Sequence, residues 1–483
     1  MKTIIDFLEE SSKKFPQKIF IKTSTEELTY DATYKKIQHL SSSLNQYPEK
    51  SVISMIFDNC PEFIISYLGI LKAGHIAHII SPSLNESNFL KQIDSSKPIF
   101  ILSLKKFLGK FAKYENKIKF YDLDEIFNND KILKNPLIEN VASLMYTSGT
   151  TSNPKGVPIT HSNITFTTKN IIEILKYNSS DIDVIPLPFS HSFGLGCLHV
   201  TLSIGSTIIL HKNTMNPLEI LKSIKENNAT TFAAVPATLT TLVNNFPEKV
   251  SENCDKLRLI ITNSTQVPKE TVKKFLKLLP KTTIATYYGL TEASRSTFMI
   301  FNENKKSENC VGKPAPGITI KIHDENNHES NMGEIWIKGG NVIKNYWNDM
   351  YANRFLDDGI KTGDLGYLES EGFLYLCGRK DNIINVAGEK VNPQEIENIV
   401  KKVKNVDDTV AIGVNHDLFG QVVGLFVKKV KNTQLESSEI ITHCKNNLER
   451  YKVPMKIKFV DEFPKTEYGK IKRFMMKGNF DDE

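Results

Sequence analysis

One short stretch of the chain, Tyr146-Thr-Ser-Gly-Thr-Thr-Ser-Asn-Pro-Lys-Gly156, gathers the groups that bind phosphate. Thr147, Ser148, Thr150, Thr151 and Ser152 offer hydroxyls, Gly149 lets the backbone come close, and Lys155 adds positive charge. Hydroxyls, exposed backbone N–H groups and a lysine together solvate a polyanion. The register is not that of the G-x-x-x-x-G-K-[ST] nucleotide loop, because the glycines and the lysine are displaced. An ordinary Ser/Thr/Gly surface loop would share this composition. Its place after an apolar segment, Val141 to Met145, and before a capped helical pattern starting near Ser162 favours the binding reading.

The surrounding elements are legible from period and punctuation. TTFAAV (230–235), LRLII (257–261) and TTIATYY (282–288) are short β-branched and aromatic runs, as buried strands are. PATLTTLVNN (236–245) and PKETVKKFLKLL (268–279) lie between them with helical spacing and proline in the opening turn. Alternation of strand and helix predicts a parallel sheet with helices on its faces. Ligands of such sheets bind beyond the carboxyl ends of the strands, which places the residues after Tyr287, YGLTE, at the mouth of a site. Beyond about residue 380, PQEIENIVKKV, TVAIGV, QVVGLFV, SSEIITHCKNNLERY and KIKFV predict a further small α/β unit of about 100 residues.

At 483 residues the chain suits two or three domains. Its net charge of +6 comes from lysines spread along the chain rather than in a block, which argues against nucleic acid as partner. Cys60, Cys197, Cys254, Cys310, Cys377 and Cys444 lie far apart with no C-x-x-C pair, as reduced cysteines of a cytoplasmic protein do. The opening MKTIIDFLEESSKK places Asp6, Glu9 and Glu10 where a secretory signal needs an apolar run. The most apolar stretch, Phe63 to Ile80, is broken by Lys72, His75 and His78 and reads as a core helix followed by a strand, not an integral membrane segment.

The Tyr146–Gly156 stretch resembles the signature loop of the adenylate-forming superfamily, which includes acyl- and aryl-CoA synthetases, stand-alone adenylation domains and luciferases. Other segments resemble that family's motifs in order: Leu28-Thr-Tyr30, Leu71-Lys-Ala-Gly74, Pro188-Phe-Ser-His191, Tyr288-Gly-Leu-Thr-Glu292, Gly333-Glu-Ile-Trp336, Lys361-Thr-Gly-Asp364, Gly378-Arg-Lys-Asp381 and Pro464-Lys-Thr-Glu-Tyr-Gly-Lys470. The likeness spans nearly the whole chain. It implies an α/β fold with a large N-terminal domain (1–380) of parallel-rich sheets and flanking helices, and a small mobile C-terminal α/β domain (381–483). The implied activity joins a carboxylate to AMP with release of pyrophosphate, then passes the acyl group to a thiol.

The same resemblance implies a role for each residue. Thr147, Ser148, Gly149, Thr150, Thr151 and Lys155 would hold the β- and γ-phosphates of ATP, Thr291 would touch the α-phosphate, and Glu292 would bind Mg²⁺. Tyr288 would stack on adenine, unless it is simply a packed tyrosine at the sheet end. Asp364 would take the ribose hydroxyls, with Arg379 opposite. Lys470 would bridge carboxylate and α-phosphate. The small domain would turn about Asp381, withdrawing Lys470 and bringing Asn385-Val-Ala-Gly388 to a pantetheine arm; a plain turn glycine is the alternative for Gly388. His191 would gate the acyl pocket, against the simpler reading of a structural histidine. Ser190-His-Ser-Phe193 carries no aspartate to pair with an ammonium, so the acid expected lacks an α-amino group. The acceptor is CoA or, alternatively, the phosphopantetheine of an acyl carrier protein. A catalytically silent nucleotide-binding scaffold is the non-enzymatic reading.

Overall fold

The computed structural model describes residues 2–107, 114, 117–126, 141–147, 154–211, 216–303, 306, 309–349, 354–356, 359–386, 389–416, 419–465, 471–476 and 480. The chain divides into two compact units, residues 1–320 with 337–361, and residues 321–336 with 362–483.

In the first unit, β1 (Val52–Ile56) is followed by α1 (Pro61–Lys72), β2 (Ile76–Ile80), β3 (Phe100–Ser103), β4 (Phe120–Asp122), β5 (Val141–Thr147) and β6 (Lys155–Thr160). They form a six-stranded sheet in the order β4-β3-β1-β2-β5-β6. All of its pairings are parallel except β5–β6. Strands β1 and β2 are buried along their whole length, as strands covered on both faces are. The Phe63–Ile80 stretch is thus a core helix and strand, as its broken hydropathy implies. Among the described residues no helix is long and apolar enough to cross a membrane.

A second parallel run begins after α2 (His161–Leu175). It comprises β7 (Ile182–Ile185), α3 (Ser192–Ile204), β8 (Thr207–Leu210), β9 (Thr231–Ala233), α4 (Pro236–Asn245), β10 (Leu259–Thr262), α5 (Lys269–Leu278) and β11 (Thr283–Leu290). The pairings β8–β7, β7–β9, β9–β10 and β10–β11 are all parallel. Phe232, Leu239, Leu242, Ile260, Val272, Phe275 and Ile284 close one core between these strands and α4 and α5. The alternation expected for 230–290 is therefore present, with Pro236 opening α4. It stops at β11, whose partner on the other side, β12 (Ala293–Ile300), runs antiparallel.

In the second unit, β13 (Gly359–Leu368, reaching back into the first unit at its start) pairs antiparallel with β14 (Leu374–Arg379). Beyond them lie β15 (Ile384–Val386), β16 (Glu389–Val391), α6 (Pro393–Val400), β17 (Val406–His416), β18 (Gly420–Lys429), α7 (Ser437–Asn447) and β19 (Lys456–Phe459). Ladder β17–β18 is buried on both faces. Ala411, Val423 and Leu425 join one cluster with α6 and α7, while Val410, Ile412 and Phe426 join another with Phe463 and Phe480.

Candidate active site

Hairpin β5–β6 carries the two flanks of the Tyr146–Gly156 stretch. Its ladder places Thr147 directly opposite Lys155 and Tyr146 opposite Gly156. A residue at each end of the stretch is thus fixed by sheet register, and both are half-buried. Ser148, Gly149, Thr150 and Thr151 lie outside the described residues. The helical pattern near Ser162 is α2, where Thr160 accepts from the Asn163 N–H and Asn163 returns the bond, a reciprocal cap. Strand β6, which intervenes, had no counterpart in the sequence reading. Pro158 masks it, and its position at the sheet edge is where a strand tolerates proline.

Hairpin β11–β12 carries Thr291 and Glu292 as its two-residue turn, between the paired Leu290 and Ala293. Glu292 is buried, and its Oε1 accepts a 2.7 Å hydrogen bond from the Tyr346 hydroxyl. Arg354 in turn donates from Nη1 to that hydroxyl at 2.7 Å and lies 3.9 Å from Glu292 Oε1. Its Nε and Nη2 are anchored on the Lys361 carbonyl. Burial, reinforced by the Glu292 carboxylate, raises the Tyr346 phenol far above its ordinary range, so it stays a donor. The Lys155 ammonium stands 5.6 Å from the Tyr346 ring centroid, bringing the first hairpin's lysine to this cluster. Tyr346 and Arg354 belong to no motif recognised in the sequence. Tyr288, on the same hairpin, is buried with its backbone opposite Thr297.

No three His, Cys, Asp or Glu side chains converge as a metal cage among the described residues. A cation at Glu292 would draw most of its ligands from phosphate oxygens. That is the habit of Mg²⁺, and a single buried carboxylate fits it.

His191 is the N-cap of α3, its Nδ1 accepting from the Phe193 N–H at 3.2 Å. Burial first, and the Arg295 cation second, push its pKa down to about 4, so the ring is neutral at physiological pH. The preceding turn is held from α1's end of the fold. Asn59 donates to the Leu187 carbonyl at 2.7 Å and accepts from the Phe189 N–H at 2.9 Å.

In the second unit, Asp364 and Arg379 are register partners and bond at 2.8 Å. Thr362 accepts from the Asp364 N–H and itself donates to the Ile335 carbonyl, which fixes the turn. Gly363 is left-handed there (φ 75°), a conformation suited to glycine. Arg379 also reaches Asp381 at 3.3 Å. Gly388 and Lys470 lie outside the described residues.

Thr147 and Lys155 on one hairpin, and the buried Glu292 carboxylate on another, thus come from parallel-rich α/β sheets. The chain belongs to the AMP-binding enzyme family: the family model matches residues 8–347, and that of the AMP-binding enzyme C-terminal domain matches residues 395–470. It is 28% identical to a long-chain-fatty-acid–CoA ligase of Bacillus subtilis, over 98% of this chain and 93% of that protein. It is also 28% identical to an oxalate–CoA ligase of Arabidopsis thaliana, over 99% and 98%. Among solved structures, it is similar to the o-succinylbenzoate CoA synthetase of Bacillus subtilis in complex with its acyl-adenylate intermediate (25% identity, TM-score 0.88, 98% and 97% coverage). The same synthetase in complex with ATP and magnesium ion matches at 26% identity, with TM-score 0.85 and 97% and 98% coverage.

Proposed function

We propose that this enzyme activates a carboxylic acid lacking an α-amino group with ATP and transfers the acyl group to CoA. The observation that carries the reading is the Glu292–Tyr346–Arg354 cluster beside Lys155, on a chain whose likeness to CoA ligases runs end to end. A carboxylate oxygen attacks the α-phosphorus, the bond to the β-phosphate oxygen breaks, and pyrophosphate leaves. The CoA thiol then loses its proton as sulfur attacks the acyl carbon, and AMP departs. The first step brings two anions together, so preorganised cations and donors lower its barrier most.

In this scheme Thr147, Ser148, Gly149, Thr150, Thr151 and Lys155 hold the departing pyrophosphate, and Thr291 meets the α-phosphate. Glu292 would hold Mg²⁺, which would supply charge neutralisation. Tyr288 contacts adenine, and Asp364 and Arg379 exchange their mutual bond for the nucleotide's ribose and phosphate. Lys470 bridges the attacking carboxylate and the α-phosphate, a contact whose loss typically costs roughly 3–4 kcal/mol of barrier. The domains are 1–380 and a mobile 381–483, turning about Asp381 so that Gly388 replaces Lys470 for thioester formation. His191 gates the acyl side, and since its ring caps α3, opening costs about 1 kcal/mol of cap. The enzyme is assigned to the cytoplasm on its six free cysteines.

Pyrophosphate release from ATP and Mg²⁺ is the test, over aliphatic, hydroxylated, aromatic and amino acids, each with and without CoA. CoA-stimulated release with one acid class is expected. Release indifferent to CoA would move the acceptor to a carrier protein, and silence with every acid would leave a nucleotide-binding scaffold.

A further inference from the structure

Arg295 is 4% exposed and lines a small cavity with Leu175, Val200, Ile261, Tyr287 and Phe298. Its guanidinium donates to the Ser192 carbonyl (3.3 Å), the Ser294 hydroxyl (3.0 Å) and the Phe193 carbonyl (3.0 Å), and packs 4.6 Å from the Tyr287 ring centroid. None of these partners is a carboxylate, and no Asp or Glu among the described residues forms an ion pair with it. The two carbonyls belong to the first turn of α3, whose amino end is itself positive. His191 and His199 beside it are neutral, both depressed by burial first and by this cation second. Burying a guanidinium without a counter-charge costs several kcal/mol unless an anion joins it.

The backbone is shaped to hold it there. Tyr288 pairs with Thr297 and Leu290 with Ala293, so one residue on β11 faces three on β12. Arg295 sits in that bulge at φ 54°, and a bulge beside a site re-aims a side chain. Gly289 has no room for a Cβ, which would lie 2.5 Å from the Arg295 backbone nitrogen. A Cβ on Gly196 would lie 2.3 Å from the guanidinium itself. Two glycines and a strained residue thus seat one buried cation.

We propose that Arg295 reads a second carboxylate on the acid, so that the substrate is a short dicarboxylate. This rests on the acid-activating reading above. Arg295 follows Glu292 by three residues, a span of at most about 10 Å of chain. One end of the acid can therefore meet the nucleotide near Glu292 while the other pairs with Arg295. That short span suits an acid of few carbons.

The full chain is assayed for pyrophosphate release with ATP, Mg²⁺ and CoA on oxalate, malonate and succinate against acetate, propionate and butyrate. The expected result is a kcat/KM on the order of 10²-fold higher for one dicarboxylate than for its equal-length monocarboxylate. Arg295→Gln should collapse that ratio mainly through KM, and Arg295→Lys should restore part of it. Thermal protection by ATP reports whether each variant is folded. A wild-type preference for monocarboxylates, or a ratio unmoved in folded Arg295→Gln, overturns the assignment and leaves the acid-activating reading intact. Silence with all acids overturns both.

Discussion

Across β5–β6 the ladder runs evenly from Ser143 opposite Ile159 to Thr147 opposite Lys155, whereas β11–β12 breaks register beside Gly289. Both hairpins carry candidate site residues, yet they fix them by different means. The even ladder fixes Thr147 and Lys155 by backbone pairing alone. The bulged ladder holds side chains in the interior, Glu292 against Tyr346 and Arg354, and Arg295 against α3. Regular pairing sets backbone positions, whereas a bulge turns side chains inward to be fixed by packing.

Breaking the rigid side should cost most. Glu292→Gln keeps the shape of the turn and removes its charge, and pyrophosphate release should fall by about 10²–10³-fold with the fold retained. An undiminished rate would remove Glu292 from the chemistry.

The helix caps behind the two hairpins differ in kind, since Thr160 cannot titrate and His191 can. The His191 pKa is depressed to about 4, so the unfolded chain takes up its proton at higher pH than the folded one. The stability from the neutral ring is full above about pH 6.5 and is lost as pH falls toward 4, at about 1.4 kcal/mol per pH unit. Asparagine caps without titrating. Denaturant midpoints of wild type and His191→Asn should therefore diverge with that slope below pH 6.5 and run parallel above it.

Gly289→Ala sharpens the contrast on the backbone. The new methyl would meet the Arg295 nitrogen at 2.5 Å and the Ala293 oxygen at 2.6 Å, both main chain, at a cost of about 1–3 kcal/mol. At Gly156, on the even hairpin, the contacts are side-chain atoms of Trp347 and Tyr146, so Gly156→Ala should destabilise less in the same melt. The smallest effect is expected of Thr160→Ala, about 1 kcal/mol at every pH, read in the same denaturant series.

The parallel layers were legible because strand–helix alternation with proline at helix starts leaves few other folds. TTFAAV, LRLII and TTIATYY each became a strand of one sheet. The antiparallel strands were not legible. Strand β6 is interrupted by Pro158, and β12 follows YGLTE so closely that no turn residue separates them. Motif residues could be named from order along the chain, but Tyr346 meets Glu292 across 54 residues, a juxtaposition only tertiary packing creates. One signal was available. Arginines are few among the 61 basic residues, and Arg258, Arg354, Arg379 and Arg473 stand beside carboxylates, as rigid, always-charged forks do. Scarcity made each arginine informative, and Arg295 more so for standing apart.

Strand β6 ends its sheet, and an open strand edge is a template on which a foreign chain can polymerise. Pro158 withholds one N–H from any such recruit, and Trp347 packs over Gly156. The open edge of the hairpin is thereby kept from seeding aggregation during synthesis, when its neighbours have not yet folded.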